Sequence, residues 1–242
     1  MDQISRRHLL RSGLGAGALA FLAGCGGAGT SRRPGIRVTP RASDASDWEF
    51  VSQKPDWLEN GTVSAPPPSV MKGVVPRSSW TRATPKLWDT NPMGRVSRIT
   101  VHHDGMTPFM STSSSSAAQR LESIRNAHVS GNGWADIGYH YVVDPAGRVW
   151  EARSTTLQGA HVKDNNEGNI GVMVMGNYEQ QVPTSAASKS LDDFVASLMR
   201  RYQVGVSRVF THREIRPTAC PGVNLQRVME STRSRGGALA RA

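Results

Sequence analysis

The chain has 242 residues, 38% of them hydrophobic, and a formal net charge of +10. That length fits one ordinary domain with appendages, and the hydrophobic content supports a packed core over part of the chain but not all of it. The excess positive charge points to an anionic partner, but no dense Lys/Arg stripe interleaved with aromatics occurs, so nucleic acid is not an expected partner.

The first residues, MDQISRRHLLRSGLGAGALAFLAGC, combine a charged start, a short apolar run from Leu14 to Ala23 and a small-residue boundary. This pattern predicts a secretory signal over 1–24, too short to span a membrane as a helix. The pair Arg6–Arg7 resembles a twin-arginine export signal. The run from Leu22 to Cys25 resembles a bacterial lipobox, which implies cleavage before Cys25 and a lipid on its sulfur. The expected location is therefore outside the cytoplasm, in the cell envelope, on a bacterial membrane. Removing residues 1–24 deletes Arg6, Arg7, Arg11 and Asp2 and leaves a net charge of +8. It also leaves Cys220 as the one free thiol of an exported chain, and such a thiol is oxidised unless buried, metal-bound or catalytic.

Residues 25–73 read as a tether, flexible over GGAGTSRRPG and stiff over SAPPPS. Trp48, Phe50, Trp57 and Leu58 are too apolar for a pure linker and suggest docking on the domain. The domain itself is expected over 74–234, with a tail at 235–242. SRITVHH (97–103) alternates as a strand. Ser113 to Ser116 offer an N-cap for a helix that ends near Gly131. Residues 137–152 read as a hairpin turning at PAG. GNIGVMVMGN (168–177) reads as a strand buried on both faces. Thr184 or Ser185 can cap a helix with Leu191, Phe194, Val195, Leu198 and Met199 along one face. SRVFTH ends in a further strand, and a last helix covers roughly 224–230. Strands interleaved with helices predict an α/β fold: a single domain built on a central mixed β-sheet flanked by helices.

Of the seven histidines, His8 leaves with the signal and His128 reads as a surface or partly buried residue on a helix. His102 and His103 close a strand and point to opposite faces, so one of them at most joins a given site. His212 follows another strand, and Cys220 returns eight residues later through a proline-stiffened loop. Two imidazoles and a thiolate suit zinc, whose catalytic sites use three protein ligands and leave a fourth position open. Spacing alone leaves metal binding, thiol chemistry and no chemistry all open. By residue type alone, Tyr139 reads as a half-buried strand former, Trp150 as core, and His161 as a solvated loop residue. Asn165, Asn166 and Asn169 read as turn formers.

Four segments in order and spacing change this balance: VHH (101–103), GYHYVVDPAGRVWEAR (138–153), GAHVKDNNEGNIGV (159–172) and HREIRPTACPG (212–222). Together with the opening VPRSSW (75–80), they resemble the zinc-dependent type 2 N-acetylmuramoyl-L-alanine amidases, a family that includes phage amidase-type lysozymes and peptidoglycan-recognition proteins. The resemblance covers roughly residues 74–232. It implies Zn2+ held by His102, His212 and Cys220, with Tyr139 and Thr218 at catalytic positions. Phage members carry lysine at the Thr218 position, and many catalytic recognition proteins carry threonine. Non-catalytic recognition proteins typically replace the cysteine, so Cys220 and Tyr139 together imply an enzyme. His161 is a candidate for a substrate or oxyanion contact and Arg153 for a stem-peptide carboxylate, while His103 and His140 fit packing roles. The implied partner is peptidoglycan or its muropeptides, cut at the muramic acid–alanine amide by a chain expected to act as a monomer.

Two other readings compete. A peptidoglycan-binding module that does not hydrolyse would keep the same ligands, and Thr218 in place of lysine leans that way. A cysteine peptidase with Cys220 as nucleophile and His212 as base would need a lowered thiol pKa, and no helix N-terminus is predicted at Cys220 to supply it.

Overall fold

A computed structural model describes residues 73–242. The export signal, the lipobox at Cys25, the tether and the apolar segment from Trp48 to Leu58 lie outside the described residues.

The domain is built on a six-stranded sheet. In chain order its strands are β1 (Val74–Val75), β2 (Arg98–His103), β3 (Tyr141–Val143), β4 (Val149–Glu151), β5 (Asn169–Val174) and β6 (Val209–Thr211). They lie in the order β1-β4-β3-β5-β2-β6. Only β3 and β4 pair antiparallel, through the PAG turn; β1–β4, β3–β5, β5–β2 and β2–β6 are parallel. The sheet is therefore mixed, as expected. Helices cover it on both faces: α1 (Ser114–Asn126) on one, α2 (Ser185–Tyr202) and α4 (Val223–Arg233) on the other, with a short α3 (His212–Ile215) after β6.

Strand alternation divides the core in two. Ile99, Val101, Ile170, Val172 and Val174 point to the α2/α4 face, where they meet Leu191, Val195, Leu198, Leu225 and Met229. Met173, Met175 and Val142 point the other way and meet Ala117, Leu121 and Ile124 of α1. The central strands are buried on both faces, so NIGVMV reads as one continuous apolar run. Truncating a side chain such as Leu198, fully buried in the first layer, to alanine costs about 2–5 kcal/mol.

The helix starts follow their caps. Ser113 Oγ accepts the Ser116 amide of α1, and Thr184 Oγ1 accepts the Ala187 amide of α2. Past Asn126 the chain continues as a π turn over Ala127–Gly131. α3 was not among the predicted elements, although its capping box is legible as Thr211 with Glu214 three residues on. α4 runs longer than expected.

Two expectations need correction. The predicted hairpin spans 137–152, but its strands start only at Tyr141, because the Asp136 and Ile137 carbonyls accept from the Arg153 side chain and the Gly138 amide donates to His128 instead of joining a ladder. The expected tail at 235–242 folds back: Leu239 is buried in the α2/α4 core layer.

Candidate metal centre

β2 delivers adjacent histidines to opposite faces. His103 turns toward the α2/α4 face, where its Nδ1 accepts the Tyr178 amide at 3.2 Å. His102 turns to the other face and is 1% exposed. β6, hydrogen-bonded beside β2, carries the chain straight into α3, whose first residue is His212. The capping box fixes that start: Glu214 Oε2 accepts the Thr211 amide at 2.7 Å, and Arg233 grips the same carboxylate from α4. The following loop returns Cys220, with the Cys220 amide donating to Thr218 Oγ1 at 3.2 Å and the Cys220 carbonyl accepting the Arg213 amide.

Donor atoms of His102, His212 and Cys220 all lie within 4.8 Å of one another. Cys220 Sγ is 3.6 Å from His102 Nδ1, and the two imidazole centroids are 4.8 Å apart. Ligand atoms of a tetrahedral zinc site are roughly 3.5 Å apart; the Cys220–His102 pair already stands near that spacing, and the residue types of the set suit such an ion. Both imidazoles are neutral at pH 7. Burial, with His161, His212, His103 and His140 nearby, holds His102 well below the usual histidine range. Burial, with Arg216 and His103, takes His212 down to about 4. Neutral imidazoles offer the lone pairs a metal needs.

His161 stands behind His102. Its Nδ1 is 3.0 Å from His102 Nε2, and its Nε2 is 3.1 Å from the Asn169 carbonyl oxygen. A carbonyl only accepts, so His161 Nε2 carries the proton and Nδ1 accepts from His102 Nε2–H. His102 Nδ1 is then left with its lone pair, on the Cys220 side. His161, expected at a substrate or oxyanion contact, is 6% exposed here, with both ring nitrogens engaged with the protein. The asparagine turns hold its loop, since Asn166 Oδ1 accepts the His161 and Val162 amides and Asn169 Nδ2 donates to the Asn165 carbonyl.

Arg153, expected at a stem-peptide carboxylate, turns its side chain into the domain. It is 4% exposed, and its guanidinium donates to the carbonyls of Ile137 (2.7 Å), Gln158 (2.7 Å) and Asp136 (3.1 Å). Arg148 likewise pairs with Asp144 at 2.6 Å, and Trp150 is core, as its residue type suggested.

Tyr139 lies in the loop before β3, half-buried, with its ring 5.2 Å from that of His102. His128 was missed as part of this region. It sits in the π turn, its ring is 5.6 Å from Tyr139, and its Nδ1 accepts the Gly138 amide at 3.1 Å. Burial takes it down to about 4. Helix periodicity cannot show this, because the π turn rotates the side chain away from the face a regular helix would give it. His140 fits the packing role expected: Nδ1 accepts the Gly171 amide and Nε2 faces the Leu157 carbonyl.

Comparison with known proteins extends this geometry. Residues 92–223 match the family model described as N-acetylmuramoyl-L-alanine amidase. The chain is similar to peptidoglycan-recognition protein SC2 of Drosophila simulans, 31% identical over 155 residues, which cover 63% of this chain and 82% of that protein. It is 34% identical over 157 residues to human N-acetylmuramoyl-L-alanine amidase, covering 62% of this chain but 26% of the human protein. The crystal structure of Drosophila peptidoglycan-recognition protein SD shares the fold, with a TM-score of 0.60 at 24% identity over 65% of this chain and 92% of that one.

Proposed function

The chain belongs to the N-acetylmuramoyl-L-alanine amidase family, and from that premise we propose that it is a zinc-dependent amidase that cuts peptidoglycan between muramic acid and its stem peptide. The observation that carries this reading is the donor set of His102, His212 and Cys220, with both imidazoles neutral and the His102 tautomer set by His161. These three residues would hold Zn2+, which when bound supplies a Lewis acid that acidifies a water and polarises an amide carbonyl.

The chain's own groups do the rest. Tyr139 brings a phenol beside the donor set, where its hydroxyl can donate to the oxyanion that forms as water adds to the carbonyl carbon. Thr218 lies in the turn that presents Cys220 and is the second group proposed to meet the reacting amide. Being neutral, it offers a hydrogen bond and no positive charge. As the C–N bond breaks, the alanine nitrogen leaves with a proton and the lactyl carbonyl becomes a carboxylate. The free carboxylates of stem peptides suit a basic protein. We further propose that this activity lies in the cell envelope, with the chain held to a bacterial membrane through a lipid on Cys25; the sequence around Arg6–Arg7 and Leu22 to Cys25 supports that placement.

A second reading, binding without hydrolysis, is favoured by one observation: the similar proteins include ones named for recognition. Digestion of purified peptidoglycan with and without a zinc chelator separates the two. Stem peptides with a free alanine amine, seen by mass spectrometry and abolished by chelation, are expected. Zinc co-purifying with a protein that pellets with peptidoglycan but releases no peptide would establish the recognition reading instead.

A further inference from the structure

The loop from Asp136 to Tyr139 has no strand to hold it, yet each of its four carbonyls accepts a hydrogen bond. Arg153 supplies three of them. Its Nη2 takes the Asp136 carbonyl, its Nε the Ile137 carbonyl, and its own amide donates to the Tyr139 carbonyl at 2.9 Å. The fourth contact, Nη1 to the Gln158 carbonyl, reaches the neighbouring loop that carries His161. The two loops also touch directly, with the Ala160 amide donating to the Gly138 carbonyl at 3.0 Å. The start of the loop is fixed independently. The Asp136 carboxylate, fully buried, accepts from Arg77 Nη2 at 3.0 Å and Arg125 Nε at 2.9 Å. Arg153 itself is nine-tenths or more buried and makes no ion pair within salt-bridge distance among the described residues. A buried guanidinium that spends its donors on backbone carbonyls acts as a rigid fork, since its planar geometry fixes all three bonded oxygens at once.

We propose that Arg153 is the positioning residue for Tyr139: its guanidinium locks the Tyr139 loop to the His161 loop and so sets the phenol against His102. This rests on the amidase reading for its kinetic consequence, but not for its structural one. A misplacement of about 1 Å costs on the order of a hundredfold in rate, so the contribution of Arg153 should appear in kcat and run through Tyr139.

The test uses the full chain and the variants R153M, R153K, Y139F and R153M/Y139F. R153M is expected to lower kcat on muropeptides about a hundredfold with KM nearly unchanged and bound zinc still stoichiometric. R153K, which can satisfy one carbonyl of the three, is expected to recover only part of that loss. R153M in the Y139F background is expected to cost less than threefold more, since its partner in action is already gone. A loss that stays undiminished without the Tyr139 hydroxyl, or a wild-type kcat in R153M, would overturn the proposal. Fluorine NMR of protein carrying 3-fluorotyrosine reads the same question without turnover. The chain has four tyrosines, and the signal missing in Y139F assigns the one needed. A shifted or broadened Tyr139 signal in R153K supports the proposal, and an unmoved one refutes it. R153K decides the matter if R153M does not fold. If wild type shows no turnover, the amidase reading fails while the NMR result still decides this one.

Discussion

His161 Nδ1 lies 3.0 Å from His102 Nε2, and the Asn169 carbonyl lies 3.1 Å from the other nitrogen of His161. The chain carbonyl–His161–His102 therefore has one direction of donation, and it ends in a lone pair on His102 Nδ1. The backbone of β5 in this way sets the protonation of a candidate metal ligand on β2.

Removing that relay should weaken the metal. H161A is expected to lower zinc affinity 10- to 100-fold, as loss of the partner of a ligating histidine typically does. Competition against a chelator of known affinity measures it, and circular dichroism should show the fold intact.

Gly171 offers the same test without deleting any functional group. A Cβ there would stand 2.7 Å from His161 Cδ2, against a stiff ring in a buried site. G171A should displace His161 and lower zinc affinity in the same direction. In an H161A background G171A should cost little more, because the ring it strikes is absent; an equal penalty in both backgrounds would mean that the strand itself had moved.

Y139F should leave zinc content and thermal stability near wild type and lower kcat about a hundred- to thousandfold, the usual consequence of losing one oxyanion donor. A change confined to KM would assign the hydroxyl to substrate binding instead.

Cys220 separates metal from thiol chemistry. With zinc bound, alkylation of the thiol by iodoacetamide should be slow and activity should persist; after chelation alkylation should speed up and activity should be lost. C220S should lose both zinc and turnover, since serine supplies no thiolate to the ion.

Glu214 carries the acid sensitivity of the His212 helix. Burial alone would raise its pKa, but hydrogen bonds from Arg233, the Thr211 amide and Gln226 outweigh this and bring it to about 2. A carboxyl depressed below its unfolded value of 4.5 adds stability above that pH, and the contribution drains away as pH falls toward 2. Urea unfolding of wild type and E214Q should differ by about 1–2 kcal/mol at pH 7, allowing for solvent screening of this partly exposed pair. The two curves should converge between pH 4.5 and 2.

The strands and helices were legible in the sequence because their signals are local. NIGVMV reads as a strand buried on both faces, and Thr184 or Ser185 can cap the helix that follows. The candidate donor set came from the motif order that carries the family resemblance, since spacing alone left the chemistry of His102, His212 and Cys220 open; the fold brings the three together. Tertiary structure alone decided the roles of the residues behind them. Arg153 looked like a contact for a stem-peptide carboxylate and His161 like a substrate or oxyanion contact, because sequence gives a side chain's chemistry but not what surrounds it. Burial turned one into a clamp on carbonyls and the other into a relay, since a polar group removed from water must find its partners within the fold. The contact of His128 with Tyr139 and the return of the tail at Leu239 escaped the sequence for the same reason: a π turn and a chain that folds back are settled by packing at a distance, which no local pattern records.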